Sequence, residues 1–371
     1  MVRTCNAARS LLAAYSLSLM FTRDQLPDMT FQCTTALFFL TLAACSGDGR
    51  TVLTVYSPHG KDLLAAYETE FEKANPTIDV QWMDMGSQEV LDRLRAEQVN
   101  PQADVWFGAP GEIFDRAARE SLLVAYIPTW SSAVDSAARD PQGRWFGTYL
   151  TPEVIAYNTV TVDSASVPRD WDDVLDPKWK GKVVIRNPVA SGTMRAIFGA
   201  QILRAIRETG KPDAGFDWLR RLDANTKEYA ADPTILYQKI GRQEGSITLY
   251  NMPDIVLLKQ RVGMPVGYVI PKSGTPLLVD GIAIVRGTKH EAEAKLYYEF
   301  VTSKRAMIEA SRRFVRIPAR TDIPRDSLPP EIARAIAQIK PMPMDRALLA
   351  AHLDEWMGYW DAHIRNHGGS K

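Results

Sequence analysis

The sequence predicts an α/β protein of two lobes joined by crossing strands. Three observations carry this reading. Between residues 51 and 110, short apolar runs alternate with helical repeats, the rhythm of a parallel sheet covered by helices. Residues 145–158 (WFGTYLTPEVIAYN) then form a β-rich stretch interrupted by Gly and Pro, as a crossing segment would be. A second strand-helix-strand unit follows, and an apolar strand at 277–285 (LLVDGIAIV) carries the chain back.

The elements follow in order. Residues 51–57 (TVLTVYS) alternate as a strand does, with Val52, Leu53 and Val55, and break at Ser57-Pro58-His59-Gly60. Leu63, Leu64, Tyr67 and Phe71 recur at helical spacing. Residues 78–85 (IDVQWMDM) read as a second strand, and Ser87 begins the helix SQEVLDRLRAEQ. Residues 103–110 (ADVWFGAP) are a third strand running into a loop and another helix. Beyond the crossing stretch, 182–188 (KVVIRNP) is a strand and 191–210 (SGTMRAIFGAQILRAIRETG) a helix. Asp232-Pro233 supplies an N-cap and a proline at the first helical position, and 245–253 (GSITLYNMP) returns as a strand. Residues 303–314 and 331–365 read as helical, with the Pro-containing RIPARTDIP (316–324) between them. Lobe 1 is expected at 51–148 and 276–315, and lobe 2 at 149–275 and 316–371. No internal repeat or low-complexity segment stands out.

Composition narrows the function. Apolar residues make up 46% of the 371 and charged residues 24%, as in a folded soluble protein. Lys plus Arg equals Asp plus Glu at 44 each, so the basic surface that nucleic-acid binding requires is missing. The three cysteines, Cys5, Cys33 and Cys45, all fall in the first 45 residues, so the rest of the chain must stand on its apolar core.

The N-terminus reads as an address. The apolar run at 35–44 (TALFFLTLAA) is far shorter than the roughly 18 to 20 residues that span a bilayer, and fits the core of a signal peptide. It ends in Leu42-Ala43-Ala44-Cys45, which resembles a bacterial lipobox whose cysteine is acylated and becomes the first mature residue. The leader is therefore 1–44, and 45–50 is a lipidated polar tether. The preceding MTFQC lacks the usual positive charge, and a second apolar stretch at 11–21 follows Arg3 and Arg9, leaving Met20 and Met29 open as alternative starts. These features place the protein in the periplasm or on the cell surface, held to a membrane by a lipid alone.

The stretches VYSPHGKDLLAAYETEFEK, ADVWFGAPGEIF, VIAYNTVTV, LDPKWKGKVVIRNPVASGT and KSGTPLLVDGIAIV, in that order, span nearly the whole chain beyond the leader. In them the chain resembles bacterial ABC-importer substrate-binding proteins, of the family that includes ferric-ion, thiamine and hexose-phosphate or phosphonate binders. The resemblance implies a two-lobed periplasmic-binding-protein type II fold, with mixed sheets flanked by helices and a hinge between lobes. It implies a monomer that traps a small solute and delivers it to a permease and its ATPase, with no catalysis, cofactor or nucleic acid. The leading expectation is a small anionic organic solute such as a sugar phosphate or phosphonate. A ferric binder with altered ligands, a hydrolase and a chemotaxis-type sensor are the rivals.

Ligands of open α/β sheets sit beyond the carboxyl ends of strands, which selects the candidate contacts. Ser191, Gly192 and Thr193 follow a strand and open a helix, so backbone N–H groups, hydroxyls and a close-approach glycine can cradle an anion; plain N-capping is the alternative. In the resembled family this turn holds an anion. Arg195, a cation in the first helical turn, opposes the helix dipole, which a bound anion would relieve; pointing to water is the equal alternative. Arg186, ending a strand, is suited to phosphate or carboxylate. Asp232 and Asn251 match cleft-facing family positions, and Tyr250 and Asp254 flank Asn251. On the first lobe, Ser57 and His59 end one strand and Ala109 another. Trp106, Trp145 and Tyr149 are candidate walls, with core placement the usual fate of such aromatics.

Metal and catalytic readings fare worse. Ferric members use a His and a Glu from the first lobe and a Tyr-Tyr pair from the second. Here the Glu position falls on Ala109, the pair on Pro253-Asp254, and His59 stands one residue from the expected His. His363 and His367 lack the HExxH glutamate, and neither a GxSxG elbow nor a Walker motif is present.

Overall fold

The computed structural model describes residues 49–366; the leader, Cys45, most of the tether and His367 lie outside the described residues. The chain opens with β1 (Thr51–Ser57), α1 (Lys61–Ala74), β2 (Ile78–Asp84), α2 (Ser87–Ala96), β3 (Val105–Pro110), α3 (Gly111–Arg119) and β4 (Leu123–Val124). Then come β5 (Phe146–Asn158), β6 (Val183–Arg186), α4 (Gly192–Thr209), α5 (Asp213–Asn225), β7 (Thr226–Ala230), α6 (Pro233–Gly241), β8 (Ile247–Asn251), α7 (Met252–Val262) and β9 (Val266–Val269). The last stretch holds β10 (Leu277–Val285), α8 (Glu291–Val301), α9 (Lys304–Phe314), β11 (Ile317–Pro318), α10 (Pro330–Gln338) and α11 (Arg346–His363).

The strands run in the order β2-β1-β3-β10-β5-β8-β6-β7. The outer members of each half are parallel: β1 with β2 and β3, and β6 with β7 and β8. The central strand β5 is antiparallel to both its neighbours and is shared between two sheets. Its first part, from Phe146 to Pro152, pairs with β10, and its second, from Glu153 to Tyr157, pairs with β8. The β-rich stretch expected to cross does so as one strand of 13 residues.

Apolar spacing explains the layers. The α1 residues Leu63, Leu64, Tyr67 and Phe71 are all buried and join Leu53, Val55 and Phe107 in a core that continues along β5 to Val154 and Tyr250. Trp171, Ile185, Phe198, Leu219 and Trp360 form a second core on the other face of the β6–β8 sheet. A third, with Tyr56, Leu91, Trp106, Phe114 and Trp145, lies under α2 and α3. Each large apolar side chain so buried contributes about 1.5–3 kcal/mol, which lets the described body stand without a disulfide.

Three differences from the sequence reading have plain causes. The helix expected over 331–365 is two helices, α10 and α11, because Pro341 and Pro343 fall between them and cannot donate to a helical ladder. The unassigned EAEAKLYYEFV is α8, which buries Ala294, Tyr297, Tyr298 and Val301 at regular helical spacing. The short β7, Thr226–Ala230, follows α5 with no loop between them, so no turn residue marked it.

Candidate ligand-binding site

The turns after β1, β2, β3, β6 and β8 gather where the two sheets meet at β5. Contact across this seam is direct. A Cβ on Gly192 would stand 2.9 Å from Ser87 Oγ and 3.2 Å from Pro110 Cδ, and one on Gly86 would stand 2.8 Å from the Ala190 carbonyl oxygen. The first turns of α2, α3 and α4 therefore face one another, with Gly86 against the Ala190 backbone and Gly192 against the Ser87 and Pro110 side chains.

On the β1–β3 side, Ser57 is fully buried, and its Oγ accepts from the His59 backbone N–H. The His59 ring lies edge-on to Phe107 and Tyr149, at centroid distances of 4.6 and 5.6 Å, and its Nε2 has no protein partner. A Cβ on Gly108 would stand 2.8 Å from that Nε2, so a glycine with φ 98° lets the imidazole lie against β3. Burial first, and then Arg316, hold the His59 pKa well below its usual value, so the ring is neutral. Ala109 is buried at φ 113°, a strained conformation for a residue with a Cβ, and the register of β10 against β3 shifts between Asp280 and Ile282 here.

On the β6–β8 side, Ser191 is the N-cap of α4, its Oγ accepting from Met194 N–H at 3.3 Å, while Gly192 is buried and Thr193 half-buried. Arg186 is buried, with one Nη2–H donated to the Ala231 carbonyl and its Nε without a protein partner. Asn251 caps α7, accepting from Asp254 N–H at 2.9 Å. The Asp254 carboxylate accepts from Tyr237 Oη at 2.7 Å and Asn251 Nδ2 at 3.0 Å, and lies 3.9 Å from the Arg316 guanidinium. Tyr250 is buried beside Tyr237, ring centroids 5.9 Å apart. Burial holds the Tyr250 hydroxyl above its usual range, with Asp254 adding to this and Arg186 opposing it.

Two expectations are redirected. Arg195 neither faces water nor waits on an anion at α4: it is 3% exposed and pairs with Asp354 of α11, which also receives Arg116 of α3. Trp106 and Trp145 are core, at ring distances of 4.3 and 5.7 Å from Phe114, and Tyr149 bonds the Tyr67 hydroxyl in the interior. Asp232 is exposed, its Oδ1 accepting from Ile235 N–H as the N-cap of α6. His363 lies in the last turn of α11, against Tyr359.

The seam also holds residues that the strand-end rule passed over. Glu153 of β5 and Asp280 of β10 are buried in the crossing strands, Glu112 is buried in the first turn of α3, and Arg316 is buried after α9. Asp280 accepts from Thr151 Oγ1 at 2.6 Å, and Arg316 donates to the His59 carbonyl at 3.1 Å. A charged residue inside an apolar run, as in LLVDGIAIV or PEVIAY, was the available signal.

A family model described as "Bacterial extracellular solute-binding protein" matches residues 66–339. The chain is 28% identical over 316 residues to a probable ABC transporter periplasmic-binding protein of Sinorhizobium fredii, covering 84% of this chain and 86% of the relative. It is likewise 28% identical over 297 residues to a putative 2-aminoethylphosphonate-binding periplasmic protein of Salmonella typhimurium, covering 77% and 84%. The periplasmic binding protein AfuA from Actinobacillus pleuropneumoniae, with exogenous fructose-6-phosphate bound, matches with a TM-score of 0.75 at 24% identity, covering 86% of this chain and 99% of that one. A ferric binding protein from Campylobacter jejuni matches with a TM-score of 0.70 at 20% identity, covering 84% and 98%. These likenesses establish the two-lobed periplasmic-binding-protein fold.

Proposed function

Because the chain belongs to the bacterial extracellular solute-binding proteins, we propose that it captures a small anionic organic solute, of the sugar-phosphate or phosphonate kind, and hands it to the permease of an ABC importer. The observation that carries the choice of solute is the α4 entrance. Ser191, Gly192 and Thr193 open a helix of 18 residues at the seam, and the buried Arg186 ends the strand before them. Free N–H groups and the dipole favour an anion at such a terminus, and a guanidinium adds charge-assisted bonds. The phosphonate and sugar phosphate named for the relative and the structural neighbour have this chemistry. Lobe boundaries at 148/149, 275/276 and 315/316 are part of the same proposal.

Ferric iron is the second reading, favoured by the ferric neighbour and by the Tyr237–Tyr250 pair. Iron needs phenolates, whereas burial pushes the Tyr237 hydroxyl well above its usual range. Among the described residues no group of three His, Cys, Asp or Glu side chains is placed to hold a metal ion. Calorimetry separates the readings. A phosphonate or sugar phosphate is expected to bind the wild type, and Thr193→Val to weaken it by about 1–3 kcal/mol through loss of the hydroxyl. A visible tyrosinate-to-iron band at one iron per chain would overturn the anionic reading.

A further inference from the structure

The seam carries more carboxyl groups than an anion site should. Glu153 is 0% exposed, and neither carboxylate oxygen has a protein hydrogen-bond partner of ordinary geometry. Its backbone pairs with Asn251 of β8, its carboxyl lies by the Thr193 hydroxyl, and Asp280, Asp254 and Glu112 act on it electrostatically. It thus stands where the first turns of α3, α4 and α7 converge. Asp84, ending β2, adds a further carboxyl within reach of Asp254.

The facing cations do not balance this group. Arg316 acts on Asp254 and Asp280, Arg195 and Arg346 act on Glu112 but are paired with Asp354 and Asp115, and Lys61 acts on Asp84, which leaves Glu153 as the carboxyl these cations do not serve. Burial, with Asp280 and Asp254 adding to it, holds Glu153 well above the usual carboxyl range. A cation brought against this carboxyl would reverse that, because an ion pair in a dry site gains far more than one in water. An inorganic metal is a poor candidate, since no three acid or His side chains among the described residues are placed to hold one. An ammonium needs only acceptors in a fan around three N–H bonds.

Resting on the anionic-solute reading above, we propose that Glu153, supported by Asp280 and Asp254, receives an organic ammonium group, so that the solute is a zwitterion whose anionic end lies at Ser191–Thr193. Glu153 is then the residue that separates amino-bearing from plain phosphonates. Arg186 and the α4 turn serve the anion, while Glu153, whose carboxyl lies by the Thr193 hydroxyl, would repel that anion unless an ammonium stands between them. The two charged ends must therefore be joined by a short linker, with the crossing strand under the cationic end.

Calorimetry with 2-aminoethylphosphonate and ethylphosphonate, which differ by the ammonium alone, tests this on the full chain. The wild type is expected to prefer the amine by roughly 10- to 100-fold, the worth of a charge-assisted hydrogen bond. Glu153→Gln should bring that ratio close to one while leaving ethylphosphonate binding little changed. Asp280→Asn should lower the ratio part of the way, and it serves as the second variant if Glu153→Gln does not fold. Equal or tighter binding of ethylphosphonate by the wild type, or a ratio untouched by either substitution, overturns the inference. Binding of glucose 6-phosphate with neither phosphonate bound overturns the inference alone. Binding of no anionic solute at all overturns the proposed function with it.

Discussion

Glu112 sits in the first turn of α3 with 5% of its surface exposed, and burial pushes its carboxyl up to about 7 against the pull of Arg195 and Arg346. Asp115 pushes the same way as burial. The folded protein then holds a proton that the unfolded chain releases near its ordinary value. Between about pH 4.5 and 7 the folded state binds more protons, so stability falls as pH rises, by up to about 3 kcal/mol from this group. Glu112→Gln lacks the titration. Its stability relative to wild type, from urea unfolding, should grow from near zero at pH 4.5 to a few kcal/mol at pH 8. A difference that shrinks with pH would mean that Glu112 is ionised against Arg195 in the fold. At this scale the sequence was legible where a candidate residue ends a strand. Ser57, His59 and Arg186 were placed by that rule and Asn251 by the family resemblance, and all four are buried where the sheets meet, their contact with a solute remaining part of the proposal. Glu153 and Asp280 were not, because they lie inside their strands rather than at a carboxyl end, Glu153 where β5 passes from one sheet to the other and Asp280 at the register shift of β10. Arg195 was misread because its partner, Asp354, comes 159 residues later, from a helix that no local pattern links to α4.

Among the elements, α4 was readable from its cap to its terminal glycine, since Ser191 caps it and Gly210 ends it at φ 76°. What no pattern could show is that its first residue touches α2 and α3. Gly192 has room for nothing larger while the halves meet, yet its neighbours belong to the other sheet rather than to its own helix. Gly192→Val should therefore act as a wedge, leaving the unfolding midpoint nearly unchanged and weakening 2-aminoethylphosphonate by roughly tenfold or more. In small-angle scattering the wild type should become more compact on adding that phosphonate, and the variant should not. A variant that compacts and binds like wild type would show that the seam does not close on the solute. The helix α11 straps the same seam from outside: Asp354 takes Arg116 of α3 and Arg195 of α4, and Arg346 reaches Asp115 of α3 at 2.7 Å. The C-terminal helix was legible as a helix, but its place across both halves was not.

At the scale of the whole molecule, no helix among the described residues is long and apolar enough to cross a membrane. We propose that attachment rests on Cys45, which lies outside the described residues. A Cys45→Ala protein is expected to move from the membrane fraction to the soluble fraction, and equal retention would sink the lipid anchor. The alternation of strands and helices made the α/β class legible throughout, whereas the shared central strand emerges only from pairing across distant segments. That pairing governs how the chain comes into being. In the sheet, β10 lies between β3 and β5, although it is made long after both. A ribosome must deliver residue 285 before the middle of the structure can assemble, and until then the facing edges of β3 and β5 have no neighbour. Pairings so remote in sequence form slowly. For a member of an extracellular family the centre of the fold therefore closes late, after the strands on either side of it have been made.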